Sequence, residues 1–278
     1  MEELTPEEKW ERATIANNFI FYKVMRNNPE ICKELLEILL EMKIDRIEMT
    51  QEESIDIDLQ SKGIRLDVYA KNSNQAFNVE MQACDTKELP ERARYYQGVI
   101  DVDCLKSGQK YKELKDSYIV FICLEDIFNN GLGKYTFKNL CCENPSICMQ
   151  DRSYKYFFIA KNCDKILNKE QQAFLKLINS NQSSSDFSER ILRLVSEAKK
   201  DFQIKRQFMD LEREKTYAYE KGLETGRKAG LKEGELLGQK HKALESAKNL
   251  LKMKVASPEQ ISQVLGLSLD EVLALKIE

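Results

Sequence analysis

The chain has 278 residues, of which 42% are hydrophobic and 32% are charged, which suffices for one sizeable core and an appended segment. The net charge of −3 provides no overall attraction to nucleic acid, so such binding must depend on local patches. The single histidine, His241, leaves little room for Ser-His-Asp or Cys-His hydrolases or for histidine-ligated zinc enzymes. No apolar run approaches the roughly 18 residues of a membrane span, and no apolar signal segment follows the acidic first residues, so we expect a cytoplasmic protein.

The eight cysteines are expected as reduced thiols in such a protein. Four of them would form an alternative zinc site: Cys141, Cys142, Cys148 and Cys163. Their spacing is not that of paired CxxC knuckles, so we do not expect a metal there.

Two helices are predicted near the start of the chain. Thr5, Pro6 and Glu8 have the pattern of a capping box with proline at the first helical position, and this helix should run to about Arg26. The second should begin at Pro29, where apolar residues recur at helical spacing.

Residues 46–60 are predicted to contain an edge strand that leads into the next strands. Apolar and acidic residues alternate over 55–59. The acids, Asp56 and Asp58, would then be charges that deter edge-to-edge aggregation.

The segment 64–82 predicts a β-hairpin with one polar face. Apolar and polar residues alternate in both arms, 64–71 and 76–82, on either side of the loop 72–75. This alternation is typical of half-buried strands, with the polar face toward solvent. The polar positions are Arg65, Asp67, Tyr69, Asn78, Glu80 and Gln82.

The length of the loop predicts the register of the hairpin. If Lys71 lies opposite Ala76, then Asp67 lies opposite Glu80 at about 5 Å, and by the same register position 65 faces position 82, Arg65 against Gln82. Like charges in direct opposition destabilise a sheet, and a shared hard cation would offset the repulsion. Magnesium fits because it binds through one or two carboxylates and completes its shell with water and phosphate oxygens. A solvated surface hairpin is the alternative.

Further motifs accompany the hairpin, in residues 88–97, 108–114 and 118–122 and in glycines spaced four residues apart near the C-terminal end. With them the chain resembles the PD-(D/E)XK-type recombination-promoting nuclease and transposase (Rpn) family over most of its length. The resemblance implies a restriction-endonuclease-like α/β fold and magnesium-dependent DNA cleavage, with manganese as an alternative ion. It places Asp67 and Glu80 at the two metal-ligand positions of the motif.

The sequence departs from that motif at two positions. Leu66 stands where the motif has proline, and Gln82 stands where it has lysine. The second change removes a cation that would steady the attacking water and the charge of the transition state. We expect Asp67, Glu80 and the Met81 carbonyl to hold the ion, and Gln82 to position a water for in-line attack on the phosphate.

Auxiliary residues are expected on two helices. Enzymes of the resembled fold often take an extra acid from the helix before the hairpin, and a helix from about Pro90 to Leu105 would bring polar groups toward phosphate. A three-carboxylate transposase site would need Asp101 or Asp103, whose helical setting argues against it. The auxiliary candidates are Glu34, Glu37, Arg94 and Gln97, each with a solvated surface position as the alternative.

The remaining elements complete a mixed sheet. The apolar run 117–124 predicts a buried central strand, and 154–160 predicts another. Strands that alternate with helices indicate a mixed α/β sheet covered on both faces. We expect this nuclease-like domain to span residues 1–180, followed by a polar boundary at 179–186.

The segment after the boundary predicts a charged helical arm, residues 186–256. Residues 199–254 contain 15 Lys and Arg against 9 Asp and Glu. Glycine costs about 1 kcal/mol against alanine in a helix, so five of them require a compensating contact, such as close approach of a second helix. A flexible linker is the alternative. The glycines are Gly222, Gly226, Gly230, Gly234 and Gly238.

Residues 257–278 predict two short capped helices separated by Gly266, which resemble a helix-turn-helix. The second helix is apolar and acidic, which favours protein contact over reading of DNA bases. For the whole chain we expect a magnesium-dependent DNA endonuclease that promotes recombination or mobile-element transfer and assembles with copies of itself through its C-terminal helices. A DNA-binding or assembly protein that cleaves weakly is the alternative.

Overall fold

A computed structural model describes residues 4–49, 54–55, 64–65, 67–83 and 87–275 of the chain. The chain divides into two compact units, residues 1–209 and 210–278. The boundary expected near residue 180 remains a prediction. Within the described ranges, no helix has both the length and the apolar character that a membrane span requires.

The first unit is built from a mixed sheet and surrounding helices. Its strands are β1 (Glu48–Met49), β2 (Ser54–Ile55), β3 (Ile64–Arg65), β4 (Val68–Lys71), β5 (Gln75–Gln82), β6 (Asp116–Cys123), β7 (Lys134–Phe137) and β8 (Ser153–Ile159). Its helices are α1 (Pro6–Arg12), α2 (Asn18–Asn27), α3 (Pro29–Leu40), α4 (Leu89–Cys104), α5 (Lys169–Ser180) and α6 (Asp186–Lys200), followed by the start of α7 (Phe202–Met253). Two 3-10 helices, Tyr111–Glu113 and Ala160–Lys165, complete it.

The main sheet has the strand order β1-β4-β5-β6-β8-β7. The strands β5, β6 and β8 are parallel, while β1 and β4 on one side and β7 on the other are antiparallel to their neighbours. The apolar run of β6 lies between β5 and β8 and is buried, which confirms the predicted central strand. The mixed α/β class expected from the sequence is confirmed.

Helices cover both faces of this sheet. On one face, Tyr96 of α4 stacks on Phe121 of β6, which in turn stacks on Phe157 of β8. On the other face, Phe77 of β5 stacks on Tyr118 of β6. As a result, the expectation of a half-buried hairpin is wrong for β5, whose residues are buried on both sides because α4 lies over the polar face.

The N-terminal helices differ from the prediction in one respect. Instead of one helix to Arg26, the chain forms α1 and α2, because the Asn17 side chain accepts hydrogen bonds from the backbone N–H groups of Phe19 and Ile20 and starts a new helix. The predicted start of α3 at Pro29 is confirmed.

Strand pairing is observed at two places within 46–60. β1 forms the edge of the main sheet beside β4. β2 pairs with β3 in a separate two-stranded sheet, in which Ser54 faces Arg65. Asp56 and Asp58 lie outside the described residues.

The second unit contains the rest of α7, then α8 (Pro258–Leu265) and α9 (Leu269–Leu273). The glycine repeat is helical, and residues 213–242 are exposed along their whole length. A Cβ atom added at any of the five glycines would meet no atom of the described residues within 4 Å. The predicted capped helices are confirmed, and Gly266 separates them with a φ of 66°. Their core is Ala247, Ile261, Leu267 and Val272.

Candidate active site

The hairpin has the register that its loop length predicts. Lys71 pairs with Ala76, and Val68 pairs with Val79. The next pair in this series is Asp67 and Glu80. The two carboxylates therefore come together at the end of the hairpin, where β5 ends.

Two backbone hydrogen bonds hold the pair across the hairpin. The Asp67 N–H donates to Glu80 Oε1 at 3.0 Å, and the Met81 N–H donates to Asp67 Oδ2 at 3.0 Å. Each carboxylate is thus oriented by the strand that carries the other. Glu80 is only 3% exposed, while Asp67 is partly exposed, so the pair is open to ligands from one side.

Burial and the adjacent negative charge of Asp67 together raise the pKa of Glu80 to about 8. The Asp67 N–H and the Arg92 guanidinium act in the opposite direction but do not cancel these effects. Near neutral pH the Glu80 carboxyl therefore holds a proton to a large extent. A divalent cation bound to the pair would displace this proton and offset the charge of both carboxylates.

Arg92 of α4 is a site residue that the sequence analysis missed. Its Nη1 donates to Gln82 Oε1 at 3.0 Å, and its Nη2 lies 3.5 Å from Glu80 Oε2. The Nη2 also donates to the Tyr96 hydroxyl at 3.0 Å. The sequence signal for Arg92 was its spacing from Tyr96. Residues four apart lie on the same face of a helix, and here both face the sheet.

The α4 residues expected to face phosphate lie elsewhere. Arg94 is exposed, and its phosphate-facing role remains a prediction. Gln97 is buried, donates to Asp101 at 3.0 Å and accepts from the Ser153 hydroxyl at 3.0 Å. The structure therefore brings Gln82 and Arg92 to the carboxylate pair, whereas the Gln97 side chain bonds to Asp101 and Ser153.

The other candidate acids have partners away from the pair. Glu34 forms an ion pair with Arg190 of α6, and Glu37 accepts the Ile44 N–H at 2.8 Å. Asp103 accepts the Tyr69 hydroxyl at 2.9 Å and pairs with Lys71.

No group of three or more His, Cys, Asp or Glu side chains in the described parts of the chain is arranged to hold a metal. This applies to the alternative zinc cysteines and to a three-carboxylate transposase site. Among the described residues of the hairpin, the carboxylates that come together are those of Asp67 and Glu80. Leu66, which takes the place of the motif proline, lies outside the described residues, and Arg65, expected opposite Gln82, pairs with Ser54.

A six-stranded mixed sheet with helices on its faces is consistent with a PD-(D/E)XK nuclease fold. The chain belongs to the PD-(D/E)XK nuclease family transposases, whose family model matches residues 16–225. This confirms the family and the fold that the sequence motifs implied. Searches for similar curated proteins and solved structures gave no match.

PD-(D/E)XK nucleases generally use divalent metal ions, and the donor atoms of this site fit such an ion. Asp67 and Glu80 offer adjacent carboxylate oxygens, which hard cations prefer. Burial and the charge of Asp67 both disfavour the ionised form of Glu80, and a positive charge between the two carboxylates would offset both effects.

Proposed function

We propose that the protein is a magnesium-dependent DNA endonuclease that hydrolyses phosphodiester bonds. The observation that carries the proposal is the paired arrangement of Asp67 and Glu80 in a chain of this nuclease family. Two facing carboxylates suit an ion that takes part of its shell from phosphate and water. Manganese satisfies the same oxygen ligands and is the alternative ion.

In this proposal Asp67, Glu80 and the Met81 carbonyl hold the ion. The Met81 backbone is beside the pair, because its N–H already bonds to Asp67. The ion, when bound, would polarise the scissile phosphate and offset its charge.

Gln82 would position the attacking water. Arg92 donates to its Oε1, which fixes the orientation of the amide. An amide nitrogen does not accept a proton, so Gln82 orients the water without serving as its base.

The proposed substrate is DNA, and the proposed setting is recombination or transfer of a mobile element, in keeping with the family's description as transposases. We further propose that copies of the protein associate through the glycine repeat of α7, where a Cβ atom added at any of the five glycines would meet no atom of the described residues within 4 Å. The end module, 257–278, would then serve protein contact, since α9 carries Asp270 and Glu271 on its first turn.

A plasmid-nicking assay with and without magnesium tests the proposal. We expect nicking by the wild type only with the ion, and loss of nicking in Asp67→Asn and Glu80→Gln, which keep the shape of each side chain. Glu125→Gln is the matched control, because Glu125 is an exposed carboxylate paired with Lys161. An unchanged nicking rate in either site variant would reject the assignment.

A protein that binds DNA but cleaves weakly is the second candidate. It is favoured by the neutral side chain of Gln82 at the position of the motif lysine. In that case the plasmid would be bound, and nicking would stay at the level of the Asp67→Asn variant.

A further inference from the structure

The guanidinium of Arg92 lies beside the position that a lysine occupies in the family motif. It bonds to the side chain of Gln82, the residue that replaces that lysine, and approaches Glu80 within 3.5 Å. The positive charge beside Gln82 is thus carried by a residue of α4 and not by a residue of β5.

We propose that Arg92 supplies the cation that position 82 lacks and donates to a non-bridging oxygen of the scissile phosphate. This inference rests on the proposed endonuclease function and adds a substrate-contacting residue to it. A guanidinium has five N–H donors in a planar fork that matches phosphate geometry. In the described part of the chain, the contacts with Gln82, Glu80 and Tyr96 use three of them.

The surroundings of Arg92 hold its charge in place before substrate arrives. Its guanidinium carbon lies 5.4 Å from the Tyr96 ring centre and 5.7 Å from that of Phe121. Such cation–π contacts and the hydrogen bonds restrict an otherwise flexible side chain. A charge fixed in advance stabilises a transition state without reorganisation during the reaction.

The side chain remains charged and partly accessible. Partial burial acts to lower the pKa of Arg92, but the hydrogen bond with Tyr96 and the charges of Glu80 and Asp67 outweigh it and leave this pKa raised. The side chain is 29% exposed, so an anion can reach it.

The position of Arg92 in its helix also favours an anionic ligand. It is the fourth residue of α4, close to the positive end of the helix dipole, where anions are favoured and cations disfavoured. Arginine in this place adds to the positive potential at the end of β5. A phosphate bound at the end of β5 would interact favourably with the Arg92 guanidinium and with the helix dipole.

A purely structural role makes a different prediction. If Arg92 only clamps Glu80 in the geometry that binds metal, its removal should weaken metal binding and cleavage together. If Arg92 acts on phosphate, its removal should impair cleavage while metal affinity is kept or increased, since a positive charge beside the metal ligands is lost.

The test combines cleavage kinetics with manganese binding to the DNA-free protein, followed by electron paramagnetic resonance. For Arg92→Gln we expect kcat to fall by about 100-fold or more, as for loss of one transition-state donor, with manganese affinity equal or higher. Arg92→Lys should recover part of kcat. Arg12→Gln, at the exposed end of α1, is the matched control and should behave as wild type.

The decisive variant returns the charge to β5. Gln82→Lys in the Arg92→Gln background should restore kcat by at least about 10-fold, because the cation again lies beside the pair. A parallel fall of manganese affinity and kcat in Arg92→Gln, or no rescue by the lysine, would overturn the assignment of Arg92. Failure of the endonuclease function itself would be distinct, since the wild type would then cleave no faster than Asp67→Asn.

Discussion

Asp67 and Glu80 orient each other across the hairpin, because the Asp67 N–H bonds to Glu80 Oε1 and the Asp67 carboxylate accepts the N–H of the residue after Glu80. The contact places two carboxylates together under α4, where Glu80 is almost completely buried. Each of the following predictions tests a consequence of this arrangement or of the arm that follows it.

The first prediction concerns the pH dependence of stability. The pKa of Glu80 is raised from 4.5 to about 8 by burial and by Asp67. Between these values the folded protein retains a proton that the unfolded chain releases, so the free energy of unfolding must fall as pH rises. Urea unfolding in EDTA at pH 5.5 and 7.5 should show this fall in the wild type and much less of it in Glu80→Gln.

Glu125→Gln provides the control for that experiment, because its carboxylate is exposed. It should follow the wild-type profile. Parallel pH profiles for wild type and Glu80→Gln would contradict the raised pKa. Addition of magnesium at pH 7.5 should restore part of the lost stability, since the ion binds only to the folded pair.

The second prediction separates the two carboxylates by their structural cost. Asp67→Ala and Glu80→Ala should both abolish magnesium-dependent cleavage. Because Glu80 is almost completely buried, we expect Glu80→Ala to destabilise the fold as well. Its loss removes the acceptor of the partly buried Asp67 N–H, which costs about 1–3 kcal/mol.

Thermal unfolding alongside nicking checks this difference. Both variants remove an acceptor of a backbone N–H, but only Glu80→Ala also empties a nearly fully buried volume, so it should melt clearly below the wild type and below Asp67→Ala. Equal melting temperatures for the wild type and Glu80→Ala would show that the Glu80 site relaxes or fills with water.

Much of this site could be predicted from the sequence because the determinants are local. Period-2 alternation and a short loop fix which residues face each other, so Asp67 and Glu80 could be paired without the fold. The burial of Glu80 and the contact of Arg92 with Gln82 could not be predicted from the sequence, because both depend on how α4 packs on the sheet. The break before α2 was missed because Asn17 acts through its own side chain, within a stretch whose apolar residues continue across it.

The third prediction concerns Gln82→Lys in the wild-type background. It returns the motif cation, and we expect cleavage to be retained or increased. The gain should be smaller than in the Arg92→Gln background, because lysine would lie against the guanidinium that now bonds to Gln82. Cleavage rates of the two single variants and the double variant measure this coupling. Complete loss of cleavage in Gln82→Lys would show a specific requirement for the amide.

The last prediction concerns the glycine repeat of α7, which the proposed chemistry does not explain. Replacing Gly226, Gly230 and Gly234 with leucine favours an isolated helix, since each glycine costs about 1 kcal/mol against better helix formers. If these positions pack closely against a second copy, the same leucines push the backbones apart. We therefore expect increased helicity by circular dichroism together with dissociation in sedimentation velocity, and slower cutting of both DNA strands, because two active sites would no longer be held together. The control is leucine at 224, 228 and 232, which lie about half a turn from the glycines on the same exposed helix and should leave association intact. An unchanged sedimentation coefficient in the glycine variant would reject the interface.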